Sequence, residues 1–421
     1  MTSSIKRTRE LNELTRDMRA QGNFISPVPS PHLMAKLDFT SSPVVDSHCH
    51  AFLPEKETRP FETYLTLSDL PQRHEDVAST MLHHMVIREL SRILCVKDEE
   101  KIIAERQRRM KSNPVDYIEL LFDDAGIETL LVDSGYPFKE TVGYGIDLND
   151  FAEMVGRDVR EIFRLEAALY GLLKGLVPHD QAIEDFRAQI REAVSDGCVS
   201  LKTIIAYRTG LAVKPWDESF VKSSWGKMIT MVREGNRPAA ILSERNERNK
   251  SVYDSFLIAG VEEANRLNVP VQIHTGMGDS PSMDLRIANP AHLYDLLQDP
   301  RAREARLVLT HGGYPYLEEA AFLANAYPNV YIDLSETIPI VSVGLRNRLL
   351  TLLEMAPTTK IMYGSDGFNV PELHWFSAIL TKKALAAALD ELMNHEGLAE
   401  EEAVNIGENF LAGNAERLYR L

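Results

Sequence analysis

Cysteine is scarce. Only Cys49, Cys95 and Cys198 occur in 421 residues, and no two of them share a CxxC spacing. A disulfide framework is thereby excluded, and the three read as reduced thiols of a cytoplasmic protein. No apolar run approaches the roughly 18 residues that a membrane span requires. Positive charge is also in deficit: the formal net charge is −16 at pH 7. Such a chain is a poor nonspecific partner for nucleic acid or an anionic membrane, which leaves a small molecule as the expected partner. Repeats with a period of 20–50 residues are absent, and no low-complexity tract divides the chain. The N-terminus, MTSSIKRTRELNELTRDMRAQG, carries basic residues without an apolar core behind them. With Glu10, Glu13 and Asp17 interspersed, it reads as a surface helix or arm rather than a transit peptide.

What is present is an ordinary globular balance, 44% hydrophobic and 26% charged, with length to spare for one large domain. Eight short apolar, β-branched runs recur: 44-VVDSHCH, 127-IETLLVDSGYP, 160-REIFRLEA, 199-VSLKTIIAY, 269-VPVQIHTG, 306-RLVLTHGG, 329-NVYIDLSE and 360-KIMYGSDG. Most are near-continuous rather than alternating, as parallel strands covered on both faces are. Helix-like stretches such as 252-VYDSFLIAGVEEANRLN and 316-YLEEAAFLANAY lie between them. Eight strand–helix units predict an α/β chain folded as a (β/α)8 TIM barrel. The expected division is an N-terminal extension over 1–40 and a barrel over 41–421, with a helical insertion at 56–126 and further excess length at 208–250. Insertions at βα connections lie over the C-terminal mouth, where they form either a lid or an oligomer interface. A homo-oligomer is expected.

Side chains at i and i+2 of a strand share a face, so His48 and His50 both point inward near the end of the first strand. Asp46 shares that alternation and is expected as their supporting partner. An HxH pair alone is weak. Four further residues strengthen it: Lys202 in the fourth strand, His274 ending the fifth, His311 ending the sixth and Asp366 ending the eighth. Imidazoles and a carboxylate converging on one mouth suit a divalent cation, zinc best and manganese next, with open positions for water. Each residue also has an ordinary reading: a hydrogen-bonded core histidine, an aspartate capping GSDGFN, or an ion-paired or snorkelling lysine. Their joint placement at four strand ends favours the metal site. Tyr207 and Arg208 follow the lysine strand, where a guanidinium can clamp a carboxylate; Arg208 otherwise forms a surface salt bridge. Glu166 ends the third strand, placed either to hold an ammonium group or to orient Arg164. Asp279 and Glu336 are loop acids near the mouth, His374 and Trp375 are expected to pack, and Cys49 is expected to face the helix layer.

The HxH, the two later histidines and the final aspartate resemble the amidohydrolase superfamily, in its amidohydrolase-2 branch. The segments HTGMGDSPSMDLRIANPAHLYDLL, LTHGGYPYLEEAAFLANAYPNVYIDLSETIP and LKTIIAYRTGL are similar to the N-terminal half of nodulin/glutamine-synthetase-like fusion proteins of the FluG type. The likeness covers roughly residues 28–421, and the chain is expected to lack the ligase half. It implies metal binding by His48, His50, His274, His311 and Asp366, and hydrolysis of a C–N amide bond, with γ-glutamyl amides cut by stand-alone relatives. Asp366 would be the general base, and His311 would help to stabilise the oxyanion. It also implies one of two metal states: a single ion beside a bare Lys202, with His311 polarising the substrate carbonyl, or two ions bridged by carbamylated Lys202. A nonhydrolytic decarboxylase and a noncatalytic regulatory domain are the competing readings.

Overall fold

The computed structural model describes residues 37–421. The expected N-terminal arm therefore falls outside the described residues, apart from its last four positions. Eight strands run in chain order: β1 Val44–Cys49, β2 Ile127–Asp133, β3 Asp158–Arg164, β4 Ser200–Thr203, β5 Val271–His274, β6 Leu307–Thr310, β7 Val330–Asp333 and β8 Ile361–Met362. Each pairs in parallel with the next. The first and last strands meet through Ser47 N–H to Tyr363 O at 3.2 Å and Asp366 N–H to His48 O at 2.9 Å. The result is a nearly closed (β/α)8 barrel with helical insertions, as the eight apolar runs predicted.

Strand faces separate two apolar layers. Val45, Leu131, Ile162, Val308 and Met362 form an inner cluster, closed below by Leu418 and Tyr419 of the last helix. Val44, Leu130, Ile273, Leu309 and Ile332 join the much larger layer between strands and helices. The helix Pro114–Ala125 shows how the connections are written locally. Asn113 caps it, Pro114 suits its first turn, and Tyr117, Ile118, Leu121, Phe122 and Ala125 form its buried stripe. Gly126 ends it at φ +66° and turns the chain into β2.

One irregularity redirects β1. Asp46 pairs with Leu130 and Cys49 with Val132, so three steps on β1 match two on β2. That extra residue is a β-bulge, and it flips the alternation between Asp46 and His48. Ser47 points inward to the Asp333 carboxylate at 2.6 Å. Asp46 and Cys49 both face the helix layer, where their ligand-type atoms lie within 4.8 Å of those of His374. Asp46 is therefore not the inward partner that plain alternation predicts. Its carboxylate instead accepts from the Ser365 N–H at 2.8 Å and from the Ser365 hydroxyl.

Between β1 and β2 the chain forms helices at Met81–Leu94, Glu99–Ser112 and Pro114–Ala125, preceded by short turns. A further pair, Glu218–Arg233 and Pro238–Ser243, lies between β4 and β5. Two backbone bonds, Asp69 N–H to Ser280 O and Ser280 N–H to Leu67 O, both 2.8 Å, tie the first insertion to the loop after β5. Residues of both insertions, among them Arg59, Leu67 and Leu242, line one cavity of about 500 Å³ over the barrel mouth.

Candidate metal centre

The strand ends bring together all six residues read as ligands. His48 Nε2 and His50 Nε2 approach the same Asp366 Oδ1, at 3.1 and 3.4 Å. The His48 and His311 rings are 5.6 Å apart, and those of His274 and His311 only 4.2 Å. Ligand-capable atoms of His48, His311 and Asp366 lie within 4.8 Å of one another; so do those of His274, His311 and Glu336, and of His48, His50 and Asp133. His48, Lys202 and His311 are each 1% exposed, whereas His50 and Asp366 keep 12% of their side chains open to the cavity.

The donor set fits a cation on one structural test: atoms that ought to be hydrogen-bonded are not. Asp366 Oδ1 and His311 Nε2 are buried without a hydrogen-bond partner. Buried polar atoms of this kind are costly unless something polar faces them. The tautomers agree with this reading. The Ser335 hydroxyl donates to Asp333, so His311 Nδ1 must be the donor to Ser335 O at 3.1 Å, which leaves the Nε2 lone pair bare. His274 Nε2–H reaches Met277 O at 2.8 Å and frees Nδ1. In this arrangement His311 Nε2 offers a lone pair to a cation rather than a hydrogen to an acceptor. Burial first, and then the neighbouring His274 and Lys202, hold His311 well below the ordinary histidine range. Burial and Lys202 act in the same direction on His274. For Asp366, burial pushes the carboxyl up, but His311, His48 and His50 outweigh it and hold it well below the usual range.

Among the described residues Lys202 pairs with no carboxylate, and at 1% exposure it does not snorkel. Its Nζ donates to His48 Nε2 at 3.2 Å and Thr310 Oγ1 at 2.8 Å. Burial lowers its pKa to about 8, against the opposing pull of Asp133 and Asp366. Three turn residues at the strand ends, His311, Glu336 and Asp366, have φ of +68°, +61° and +52°. Non-glycine residues held in this region cluster at functional sites.

The substrate-side residues share the cavity with His50, Lys202, His274 and Asp366. Arg208 closes the short helical turn Ile205–Arg208 and reaches the cavity wall. Glu166 sits in the first turn of helix Leu165–Lys174. Its Oε1 accepts from Thr203 Oγ1 at 2.6 Å and Ile204 N–H at 2.9 Å, while its Oε2 has no partner. It does not orient Arg164, whose guanidinium grips Asp133 instead. Tyr207 lines the cavity and also braces the site. Its hydroxyl accepts from Asp279 N–H at 2.8 Å, and its ring packs 4.5 Å from that of His274. Gly278 permits this, because a Cβ there would fall 2.1 Å from the Tyr207 oxygen. His374 and Trp375 are fully buried behind the mouth, with Trp375 Nε1 on Asp124 at 2.8 Å.

Asp133 and Asp333 were missed as site residues. Each ends an apolar run, LLVD and VYID, by the signal that singled out Asp366. Asp133 is held well below the carboxylate range because Arg164 outweighs its burial.

A family model described as amidohydrolase matches residues 45–421. The protein fluG of Emericella nidulans is 27% identical over 411 residues, covering 90% of this chain and 46% of its own. The chain thus spans about half the length of that curated relative. Among solved structures, a protein named as a metal-dependent hydrolase from Lactobacillus casei ATCC 334 superposes with a TM-score of 0.78 at 24% identity, covering 91% of this chain and 97% of that one. Uronate isomerase from Thermotoga maritima superposes with a TM-score of 0.63 at 13% identity, covering 90% and 94%. With the match spanning residues 45–421, almost the whole barrel, the chain belongs to the amidohydrolase family.

Proposed function

We propose that this protein is a metal-dependent hydrolase of a C–N amide bond, acting on a γ-glutamyl-type or other carboxylate-bearing amide. One observation carries the substrate class. One cavity is lined by Arg208, without an ion pair among the described residues, and by Glu166, whose buried Oε2 has no hydrogen-bond partner, together with His50, His274 and Asp366 of the His–Asp cluster. A guanidinium and a carboxylate on one cavity complement the carboxylate and ammonium of an amino-acid head group. A γ-amide then extends its carbonyl on a short methylene arm towards the cluster. Isomerases share the barrel, so the choice of hydrolysis rests on these residues and not on the fold.

His48, His50, His274, His311 and Asp366 would hold a divalent cation, zinc suiting the imidazole-rich set best. When bound, such a cation supplies Lewis acidity and activates water near neutral pH. Asp366 is held deprotonated and keeps an edge open to the cavity, so it can accept the water proton and return it to the leaving nitrogen. Arg208 and Glu166 orient the head group, and the first insertion limits water above it. Free cysteines and the acidic charge support a cytoplasmic setting.

The test is amine release from a panel of γ-glutamyl amides, run beside carbon dioxide release from aromatic acids. We expect the first and not the second. Asp366→Asn should bind the cation more weakly and, assayed with the cation in excess so that the site is filled through the histidines, should lose roughly 100- to 10,000-fold in turnover. Near-normal turnover in that variant would sink the role given to Asp366.

A further inference from the structure

The turn that carries Asp366 is held from behind. Asp366 adopts φ +52°, in the left-handed region that disfavours side chains with a Cβ. Such a conformation persists only where its surroundings over-determine it. Here the surroundings can be named. On the inner side, β1 supplies two backbone bonds: Asp366 N–H to His48 O at 2.9 Å, and His50 N–H to Gly367 O at 2.8 Å. On the outer side, Asp46 takes both the N–H and the hydroxyl of Ser365. The Ser365 oxygen in turn accepts from the Gly367 N–H at 2.8 Å. The three residues 365–367 are thus bracketed by one carboxylate that never enters the cavity.

That carboxylate is unusual in its place. Asp46 is fully buried, and its one ion-pair-range contact among the described residues is His374 Nδ1 at 3.7 Å. A buried carboxylate without lysine or arginine costs stability unless its hydrogen bonds serve a purpose. The His374 ring closes the space beneath. It packs 5.4 Å from Phe52 and 5.9 Å from Phe122, and a Cβ on Gly367 would meet it at 2.4 Å. The β1 bulge makes this possible, because it turns Asp46 outward while leaving His48 and His50 inward.

We propose that Asp46 and Ser365 are positioning residues that act through the 365–367 turn, holding the Asp366 carboxylate against His48 and His50. They touch neither cation nor substrate. The inference depends on Asp366 as a ligand and not on which amide is cut. Asparagine replaces Asp46 only in part. Its amide oxygen can take the Ser365 N–H, but its NH2 would reverse the bond to the Ser365 hydroxyl. That hydroxyl then loses its own acceptor and must accept twice, from that NH2 and from Gly367 N–H. The readout is cation binding. Asp46→Asn and Ser365→Ala should each weaken zinc or cobalt binding by roughly 10- to 100-fold, as loss of a supporting hydrogen bond does. Both should also shift the visible absorption of the cobalt-loaded protein, which reports ligand geometry in the folded fraction alone. Ser365→Thr, which keeps the hydroxyl, should restore both. If Asp46→Asn fails to fold, Ser365→Ala carries the test. Affinity within about 2-fold of wild type, with an unchanged cobalt spectrum in folded Ser365→Ala, would overturn the proposal. A second equivalent of metal lost on Cys49→Ala would also overturn it, because Asp46 would then be a ligand in its own right beside Cys49 and His374.

Discussion

At the scale of single residues, the centre is decided by who owns each lone pair. Lys202 donates to the His48 Nε2 that a cation also needs, so loading requires Lys202 to lose its proton or move away. Burial has lowered its pKa to about 8. Below that value the ammonium is present and opposes the cation; above it the opposition is gone. Cation affinity should therefore rise by up to about tenfold per pH unit as pH approaches about 8, and level off beyond. In Lys202→Met the same titration should be flat, and chelator competition between pH 6.5 and 9 measures both. A flat wild-type profile would mean that Lys202 does not compete. Two bound ions in wild type and one in Lys202→Met would favour the carbamate-bridged state over the single-ion one. Arg208 lines the same cavity and has no ion pair among the described residues. A charge-assisted bond to a substrate carboxylate is worth about 1.5–3 kcal/mol, so Arg208→Gln should raise KM for γ-glutamyl amides roughly 10- to 100-fold with a smaller change in kcat. An unchanged KM would move the clamp elsewhere, with Arg59 on the same cavity as the next residue to examine.

At the scale of elements, the first insertion is fastened to the barrel by a buried ion network. Arg106, on helix Glu99–Ser112, is 1% exposed and grips Glu372 through Nε at 2.6 Å and a second nitrogen at 3.0 Å. Glu372 also accepts from the Tyr117 hydroxyl at 2.8 Å, and Arg106 bonds Glu57 and lies 4.5 Å over the Phe61 ring. Glu372 stands in the first turn of helix Pro371–His395, directly after the Asp366 turn. Arg106→Met leaves the buried Glu372 without its cation, held only by the Tyr117 hydroxyl, and frees Glu57 as well, which should cost about 3–5 kcal/mol of stability. Adding Glu372→Leu should recover a large part of it, since two apolar residues need no partner. Thermal melts of the single and double variants check this, with faster proteolysis between residues 57 and 112 in the single one. None of this network was readable from sequence, because its members lie some 50 to 270 positions apart and each looks like a surface charge. Most strands were readable, because burial on both faces leaves near-continuous apolar runs that end in a polar turn; β3, DVREIFR, is the weakest such run and is only partly buried. The ligand histidines were readable for the same reason: each stands where such a run stops. Asp46 was misread because a bulge leaves no mark in the residue pattern, yet it inverts every face that precedes it. The β4 run was read too long, since IIAY continues the apolar character of SLKT but coils into the turn Ile205–Arg208.

At the scale of the whole molecule, the centre is a seam. The residues proposed to hold the cation stand on or just after β1, β5, β6 and β8, and the chain at the ends of β1 and β8 meets through the two backbone bonds that bring the barrel's ends together. A cation bound there contacts both ends of the sheet at once. It should therefore stabilise the barrel as a unit rather than one loop. Binding to the native state alone adds RT ln(1 + [L]/Kd), about 2.7 kcal/mol when the free cation stands at 100 times its Kd. Without the cation, the barrel keeps a buried Asp366 carboxylate among imidazoles that burial has made reluctant to carry charge. Chelation should accordingly lower the melting temperature by several degrees, and zinc should restore it. His48→Ala with His50→Ala removes the β1 side of the seam, so the melt of that double variant should respond to neither chelator nor zinc. Hydrogen exchange separates a global effect from a local one. If the cation acts on the barrel, amides of β1, β5, β6 and β8 should lose protection together on chelation. Loss confined to the turns after His311 and Asp366, with the strands unchanged, would show that the metal orders the mouth and leaves the barrel's closure to its backbone.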